Sequence, residues 1–461
     1  MKKILSVAFA FCLSFCVSAQ TETKARQEIR ENILLSASNY TAYVDPSPSE
    51  KYTPTPKGYE PFYLTHYGRH GSRWLLGQGE YTEVIDVLNR AHDKGKLSER
   101  GEELREKISR FYNETNARQR LGELSDVGEL QHHRIGKRMT EHFPEIFGAK
   151  DCQVDARSTV VIRCILSMEA ECEELCRFNK NLRIHNDVSN AFQYYLNREP
   201  WEKRLRDARG EMWRKANFDF RKEYTHPERF WNSIVNDPEY RDEKLTSRGD
   251  VMRRTFDICA NMQSHLKGIS LWDFFTEDEV YDQWRIRNVD WYVNYSAGLT
   301  PFSQANLLQN FLDTADTCLI DGKANLPIMK DDTEGVRIAL RRDYRGATLR
   351  FGHEVVVMPM AALLELDNCY PEWPLDDLRN LDKVWANYRI FPMASNIQLI
   401  FYRPKKGDVV KMDDILVKAL LNEHEVSLPG KPVTGCYYSW GELRKYYQEK
   451  LDKYNGISRL K

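Results

Sequence analysis

The sequence predicts an α/β fold: a three-layer α/β sandwich with a mostly parallel sheet, plus an inserted α-helical cap. Short apolar runs with strand character occur near both ends of the chain and alternate with helical patterns, as expected of a sheet covered by helices. Residues 181–332 differ, because they are rich in Trp, Arg, Tyr and Asp and carry few strand signals. At 461 residues the chain is also long for one compact unit, which favours an insertion or a second domain.

The first nineteen residues read as a secretory signal peptide. A short basic start, Met1-Lys2-Lys3, precedes an apolar run over residues 4–17 and a small-residue cleavage site, Val17-Ser18-Ala19. We therefore expect export to the periplasm or the extracellular medium, with residues 1–19 removed. The apolar run is short for a membrane span, and no later stretch is long enough, so no stable membrane insertion is expected.

Composition and charge exclude some classes of partner. Hydrophobic residues make up 41% and charged residues 29% of the chain, which is typical of a globular protein with a sizeable core. The formal net charge is −1, so no overall field attracts nucleic acid or an anionic membrane. An anionic ligand must instead be held by a local cluster of cations. The oligomeric state stays open.

The cysteines give little support to a metal or redox function. Two of the 10 cysteines lie in the signal peptide, and the other eight start at Cys152. An even number in an exported chain permits disulfides, although a chain this long does not need them. No CxxC pair occurs, so no structural zinc is predicted and no cofactor is expected.

Elements of the first half follow from periodicity and caps. Strands are predicted over residues 62–66 and 152–155, and helices over 80–95, 101–114, 124–142 and 160–178. The helix near residue 124 has Ser125 as its N-cap and acidic residues in its first turn. Residues 20–49 read as polar and helical.

Strand character returns after the helical stretch. Strands are predicted over residues 336–340 and 347–351, and a hairpin pair over 396–402 and 414–421. The predicted organisation is therefore an α/β core from residues 20–180 and 333–461, interrupted by a mostly helical cap over 181–332.

The strongest chemical signal is a loop with two arginines around a histidine. Arg69-His70-Gly71-Ser72-Arg73 directly follows the first strand. Guanidinium groups match phosphate oxygens in bidentate fashion, and a neutral imidazole among them can attack phosphorus. The loop also stands at the carboxyl end of a strand, where open α/β sheets place their ligands.

Two further clusters follow later strands. Arg157 and Arg163 come just after the second strand, and Arg163 lies among apolar neighbours, which is unusual for a charge that only faces solvent. His353 and Glu354 stand at the end of the strand near residue 350. A histidine there can bind a phosphoryl oxygen, and a carboxylic acid can protonate a leaving oxygen.

Together these motifs resemble the histidine acid phosphatase family, which includes phytases and multiple inositol polyphosphate phosphatases. The resemblance covers residues 62–178 and 340–461. It is carried by the Arg-His-Gly-x-Arg loop, by Leu124-Ser125-x-x-Gly128-x-x-Gln131-His132, by Arg157-Ser158-Thr159 with Arg163, and by Gly352-His353-Glu354.

The resemblance implies a role for each matching residue. His70 is implied as the nucleophile, Glu354 as the proton donor, and Arg157 as a supporting residue. The implied phosphate pocket consists of Arg69, Arg73, Arg163 and His353. No metal is implied, and the substrate is a small phosphomonoester, with sugar phosphates or inositol phosphates such as phytate favoured.

The chain departs from the family pattern in two places. Arg73 is followed by Trp74-Leu75 where Arg-x-Pro is common. The second motif is His353-Glu354, whereas the family usually has His-Asp and the inositol polyphosphate phosphatases have His-Ala-Glu. Glu354 therefore takes the His-Asp location with one methylene more, which leaves the subgroup open.

Two other functions compete with this interpretation. One is a phosphoryl-transfer mutase of the related branch, which usually has its acid in the first half of the chain. The other is a non-catalytic surface protein that binds phosphate or glycan phosphate, which would need the arginines but not the two histidines and Glu354. Basic, aromatic stretches over 201–206 and 214–222 could hold a polyphosphorylated ring, although ordinary exposed helix faces explain them better.

Overall fold

The computed structural model describes residues 22–197, 210–242, 247–321, 329–331, 335–367 and 369–459. The predicted signal peptide over residues 1–19 and the basic, aromatic stretch over 201–206 lie outside these ranges. Within them, no helix is long and apolar enough to cross a membrane.

A mixed sheet of eight strands forms the centre of the molecule. Seven follow the order β10-β9-β7-β1-β6-β2-β3, and β11 pairs with β9; β4, β5 and β8 form a separate small sheet. The strands are β1 (Tyr59–Arg69), β2 (Gln153–Ser158), β3 (Arg183–Val188), β4 (Met329–Asp331), β5 (Gly335–Ala339), β6 (Gly346–Gly352), β7 (Asn396–Pro404), β8 (Val409–Lys411), β9 (Leu416–Leu421), β10 (His424–Val426) and β11 (Tyr438–Ser439).

The strands that lead into the motifs are parallel and lie side by side. β6 pairs in parallel with both β1 and β2, and β3 adds to β2 in the same direction. Their register places Arg69 opposite Gly352, and Ser158 opposite Phe351. The three sequence motifs therefore leave the sheet at one edge, because parallel strands end together there.

Helices cover both faces of this sheet and build a further region beside it. They are α1 (Lys24–Glu31), α2 (Gly79–Asp93), α3 (Glu99–Glu114), α4 (Asp126–His142), α5 (Pro144–Phe147), α6 (Ile162–Phe178), α7 (Gln193–Leu196), α8 (Gly210–Tyr224), α9 (Glu228–Ile234), α10 (Arg248–Asn261), α11 (Glu277–Trp291), α12 (Ala305–Leu319), α13 (Glu354–Leu363) and α14 (Trp440–Arg459). Shorter 3₁₀ and π segments are Ile33–Tyr40, Ala117–Gln119, Asn190–Phe192, Met262–Ser264, Trp272–Phe274, Tyr292–Ser296, Thr300–Gln304, Leu375–Lys383, Asn387–Arg389 and Met412–Asp414.

Each face of the sheet has its own apolar layer. On one face, Met139 of α4 and Met168 of α6 join a core with Leu64 and Leu349 of the central strands. On the other face, α12, α13 and α14 contribute to the largest core of the protein. The sheet is thus buried on both sides, which explains why every residue of β6 and all but the first two residues of β1 are buried. The predicted α/β sandwich is confirmed.

The helical region draws on two separate stretches of chain. Its core joins α2 and α3, from before the predicted cap, to α9, α10 and α11 within it. Two strands also fall between residues 181 and 332, since β3 extends the main sheet and β4 belongs to the small one. The division at residues 181 and 332 stays a prediction. The structure adds that the helical region shares its core with α2 and α3, and that two strands lie between these two positions.

Most predicted elements occur within a few residues of their predicted bounds. The hairpin pair over 396–402 and 414–421 is confirmed as the antiparallel pair β7 and β9. The strand predicted over 336–340 forms, but in the small sheet. Residues 20–49 are less helical than expected, with a regular helix only over Lys24–Glu31 among those described. All eight cysteines after residue 150 are described, and none forms a disulfide.

Candidate active site

The loop after β1 is held in place by hydrogen bonds of its backbone. His70 N–H donates to the carbonyl of Gly352 at 2.9 Å, which ties the loop to the end of β6. Arg69 N–H donates to the Ser395 carbonyl at 2.8 Å, and the His70 carbonyl accepts from Ala394 N–H at 3.0 Å. These bonds from two neighbouring strand ends hold the imidazole in one place.

Helix α4 packs against the same loop with almost no space between the backbones. A Cβ on Gly71 would lie 2.4 Å from the carbonyl oxygen of Gly128, and a Cβ on Gly128 would lie 2.2 Å from that of Ser72. Gln131 accepts from Ser72 N–H at 2.9 Å through its side-chain oxygen. The glycines of the first two motifs are therefore required by close approach, and α4 serves as the rear wall of the loop.

His70 is held in the tautomer that a nucleophile needs. Its Nδ1 lies 2.9 Å from the Gly71 carbonyl oxygen, which can only accept, so Nδ1 carries the proton. Nε2 therefore has a free lone pair, and it has no hydrogen-bond partner among the described residues. Burial, together with the charges of Arg163 and Arg69, holds the pKa of His70 well below its ordinary value. The ring is neutral at physiological pH.

Three arginines surround this imidazole. Arg69 and Arg73 are buried, and Arg163 stands in the first turn of α6 with Nη1 on the Gly122 carbonyl at 3.1 Å. The Nε atoms of Arg73 and Arg163 lack a hydrogen-bond partner in the described part of the chain, and Arg69 Nε faces Glu354. Burial lowers the pKa of Arg69 to about 10, yet the group keeps its charge at neutral pH. Unpaired guanidinium donors around a neutral histidine suit a tetrahedral oxyanion such as phosphate.

Glu354 completes the cluster as the first residue of α13. Its Oε2 lies 3.1 Å from Arg69 Nε and 3.5 Å from His70 Nε2. Burial alone would raise the pKa of this carboxyl, but the charges of Arg69 and Arg73 outweigh the burial and hold that pKa well below the ordinary value. Glu354 is therefore a carboxylate at neutral pH in the unliganded protein, although the family resemblance implies it as the proton donor.

His353 lies beside His70, with 5.6 Å between the ring centroids. Its backbone N–H donates to the Tyr67 hydroxyl at 3.2 Å, and Tyr67 in turn donates to the Leu196 carbonyl. Burial lowers the pKa of His353 to about 4, so this ring too is neutral at physiological pH. Thr159 Oγ1 approaches its Nε2 at 3.5 Å.

The structure brings six predicted residues together and leaves one aside. Arg69, His70, Arg73, Arg163, His353 and Glu354 form one cluster. Arg157 instead forms an ion pair with Asp155 at 3.0 Å and donates to the Tyr195 hydroxyl at 3.1 Å. Arg157 stands on β2, and its predicted supporting role stays a prediction.

Two basic residues of α8 form ion pairs with acids. Lys215 forms an ion pair with Asp219, and Arg221 lies 3.6 Å from Asp290. These contacts are typical of a mixed-charge helix face, which was the favoured interpretation of residues 214–222.

A metal ion is the main chemical alternative for the cluster. His70, His353 and Glu354 each offer one ligating atom, and the three atoms lie within 4.8 Å of one another. Three arginines surround this triad, however, and Arg69 already compensates the carboxylate. The local charge is net positive, so it favours an anion over a divalent cation.

Several contributing residues carry no signal that sequence reasoning could use. Ser167 accepts from Gly71 N–H at 3.1 Å, and the Cys164 thiol donates to the Gly352 carbonyl at 3.2 Å. Both lie on α6 at positions that periodicity marks only as inward-facing. Asn39 and Tyr40, which contact the arginines, come from a segment that showed no motif.

Comparison with known proteins identifies the fold. No family model matches the sequence, and no curated protein matches it either. A multiple inositol polyphosphate phosphatase from Bifidobacterium longum, in complex with inositol hexasulfate, is similar with a TM-score of 0.69 and 18% identity, over 89% of this chain and 97% of that one. A phytase from D. castellii is similar with a TM-score of 0.64 and 16% identity, over 92% of this chain and 86% of that one. The chain therefore has the histidine acid phosphatase fold.

Proposed function

We propose that this chain is a histidine-type acid phosphatase that hydrolyses phosphomonoesters through a phosphohistidine on His70. One observation carries the proposal: His70 is neutral, has its proton fixed on Nδ1, and presents Nε2 among three arginines and a carboxylate. A phosphate-binding protein would need the arginines but not an oriented imidazole lone pair. The fold shared with phosphatases supports the same conclusion.

The first step transfers the phosphoryl group to His70. Nε2 attacks phosphorus in line, so a P–N bond forms as the P–O bond to the leaving alcohol breaks. The guanidinium groups and His353 bind the equatorial oxygens and stabilise their charge in the transition state. The leaving oxygen takes a proton from Glu354, which has received that proton from the monoanion of the bound ester.

The second step releases inorganic phosphate. A water molecule attacks phosphorus, the P–N bond breaks, and Glu354 accepts the proton that water gives up. His70 recovers its lone pair, and Glu354 becomes a carboxylate again when the proton leaves with the product phosphate. The arginines supply the positive charge, and the arginines and the neutral His353 supply the hydrogen bonds, so the proposed mechanism needs no metal.

The proposed substrates are inositol polyphosphates, phytate among them, with sugar phosphates as the alternative. Support comes from the similar structures, one of which is named for phytase activity and another holds inositol hexasulfate. We also propose that the chain is exported and that the helical region of α2, α3 and α9–α11 acts as a cap. A higher kcat/KM for adenosine monophosphate than for phytate would contradict the substrate class.

The decisive experiment is to trap the phosphoenzyme. The chain starting at Gln20 is incubated with ³²P-labelled phosphate ester, quenched in alkali, and analysed for acid-labile label. Wild type should carry label and turn over p-nitrophenyl phosphate equally well with and without EDTA. His70→Ala should lose both label and turnover, with its thermal midpoint close to wild type.

Two results would contradict the proposal. Turnover by His70→Ala at more than a trace of wild type would exclude the nucleophile. Loss of wild-type activity in EDTA, restored by a divalent ion, would assign the histidines and Glu354 to a metal instead.

A further inference from the structure

We infer that the segment 33–43, here called the strap, is a positioning element of the phosphate pocket, acting on Arg69 through the Asn39 carbonyl and on Arg73 through the Tyr40 ring. The inference rests on the proposed function, since it assigns these arginines to phosphate. The strap lies far from them in sequence and carries no motif.

Arg69 is oriented by two backbone carbonyls from separate segments. Its Nη2 donates to the Asn39 carbonyl and its Nη1 to the Phe391 carbonyl, both at 2.8 Å. Because both terminal nitrogens of Arg69 bind these carbonyls, its Nε is the atom that faces Glu354, at 3.1 Å. A completely buried guanidinium needs such partners, because water cannot replace them. The strap therefore decides which edge of Arg69 faces the pocket.

Arg73 rests against the strap by a different contact. Its guanidinium carbon lies 5.6 Å from the centroid of the Tyr40 ring, within the range of a cation–π interaction. Tyr40 is buried, and burial raises the pKa of its hydroxyl, so the ring stays neutral. Arg73 Nη1 donates to the Trp74 carbonyl at 2.8 Å, which leaves the aromatic face as its contact on the strap side.

The strap is held in an unfavourable backbone conformation next to these contacts. Ser38 is buried and has φ 57° and ψ −120°, a region that residues with a Cβ rarely adopt. Asn387 donates from its side chain to Ser38 Oγ at 2.8 Å. Backbone strain of this kind persists only where the surroundings impose it, and here it directly precedes the carbonyl that binds Arg69.

Asn387, which binds Ser38 of the strap, is also hydrogen-bonded to the helical region. Asn387 accepts from the Trp284 indole at 3.1 Å, and its backbone N–H donates to the Asn288 side chain at 2.9 Å. Trp284 and Asn288 belong to α11. The strap carbonyl of Thr41 also accepts from Met393 N–H at 2.8 Å, next to the Ala394 that bonds to His70. The strap thus links α11 to the catalytic loop through hydrogen bonds.

The test measures phosphate affinity rather than activity alone. Inhibition by inorganic phosphate is determined for Tyr40→Leu and Tyr40→Phe with p-nitrophenyl phosphate as substrate, and phosphate binding is measured separately by calorimetry. Tyr40→Leu should weaken phosphate binding about tenfold, because an aliphatic side chain has no π face. With p-nitrophenyl phosphate the effect should appear mainly in KM. Tyr40→Phe should bind phosphate like wild type, since it keeps the ring.

The matched control is Tyr447→Leu. Tyr447 is a buried tyrosine of α14 whose hydroxyl donates to the Leu364 carbonyl, away from the pocket. Tyr447→Leu should lower the thermal midpoint as Tyr40→Leu does, but it should leave the affinity for phosphate unchanged. Ser38→Ala, which removes the hydrogen bond from Asn387, should weaken phosphate binding several-fold. This variant tests separately the part of the inference in which the strap positions Arg69.

The outcomes separate the inference from the proposed function. Wild-type phosphate affinity in both Tyr40→Leu and Ser38→Ala would overturn the inference and leave the phosphatase intact. An equal loss of affinity in Tyr447→Leu would also overturn it, because the effect would then be general destabilisation. A wild-type protein that neither binds phosphate nor hydrolyses an ester would overturn both.

Discussion

In the proposed mechanism Glu354 has to serve two roles, and its charge in the unliganded protein does not satisfy both at the same time. Next to Arg69 it is a carboxylate, whereas the leaving alcohol needs a proton from it. A bound phosphoryl group places negative charge among the arginines, which weakens their hold on the carboxylate and favours protonation. Substrate binding itself therefore prepares the acid.

The pH dependence follows from these charges. Because the pKa values of both His70 and Glu354 lie well below their ordinary values, the unliganded protein has a neutral imidazole and a carboxylate at neutral pH. The proton for the leaving group must then arrive with the substrate monoanion, and phosphomonoesters lose that proton near pH 6. For an alkyl phosphate, kcat/KM should fall with rising pH above about 6. A level profile to pH 8 would contradict this.

A Glu354→Gln substitution tests the acid directly. Gln keeps the size and one hydrogen-bond donor but has no proton to give, and general acid assistance is worth roughly 10²–10⁴-fold. Hydrolysis of an alkyl phosphate should fall by that order, while p-nitrophenyl phosphate should still give a burst of nitrophenolate followed by slow turnover. Glu354→Asp is the control and should stay active.

The burst and the two substrates together identify the role of Glu354. Nitrophenolate needs no proton to leave, so Glu354→Gln should still form the phosphoenzyme. Hydrolysis of the phosphoenzyme should be slow, because the variant lacks the base that accepts a proton from water. Equal losses on both substrates without a burst would make Glu354 a structural partner of Arg69, and the donor would have to lie elsewhere.

At the scale of elements, the candidate site depends on how closely α4 approaches the Arg69–Arg73 loop. Ser125 caps α4 and also donates to the Ser72 carbonyl at 3.0 Å, so the helix start and the loop share one anchor. A second anchor lies deeper, where buried His132 of α4 meets buried Glu171 of α6 at 2.7 Å. Helix α4 is therefore fixed to both the loop and the helix that carries Arg163.

A methyl group on Gly128 should disturb this arrangement. The added Cβ would lie 2.2 Å from the Ser72 carbonyl oxygen and 2.6 Å from its nitrogen, and backbone atoms cannot rotate away. Gly128→Ala should lower the free energy of unfolding by about 1–3 kcal/mol and reduce kcat strongly, because the loop must shift. Thermal unfolding and p-nitrophenyl phosphate turnover measure the two effects.

Gly249→Ala is the matched control for that substitution. Gly249 lies in the first turn of α10, and the nearest atom to its added Cβ is a Thr225 methyl at 3.0 Å. A side chain can move aside, so activity should persist. Wild-type activity in Gly128→Ala would show that the loop tolerates displacement and would contradict the role given to α4.

At the scale of the whole molecule, stability rests on packing rather than on covalent links. The eight cysteines after residue 150 are all free, and most are buried in the apolar cores. The chain starting at Gln20 should therefore have the same thermal midpoint with and without dithiothreitol, and should titrate as eight thiols after denaturation. Fewer thiols, or a lower midpoint on reduction, would reveal a disulfide.

Part of this protein can be predicted from local patterns in the sequence. Strand β1 and the Arg69–Arg73 loop, helix α4 with its Ser125 cap, and His353 with Glu354 are all recognisable, because each depends on residues within a few positions of one another. Parallel strands end at one edge of a sheet, so the order of strands and motifs along the chain is enough to assign these motifs to one site.

Other features exist only because distant segments meet. The charge of Glu354 depends on Arg69, 285 positions earlier in the chain, and the orientation of Arg69 depends on Asn39 and Phe391. The pairing of Arg157 with Asp155 and Tyr195, and the union of α2 and α3 with α9–α11, likewise leave no periodic signal. Periodicity reports which face of an element is buried, whereas pKa values and side-chain orientation depend on which other groups are buried beside it.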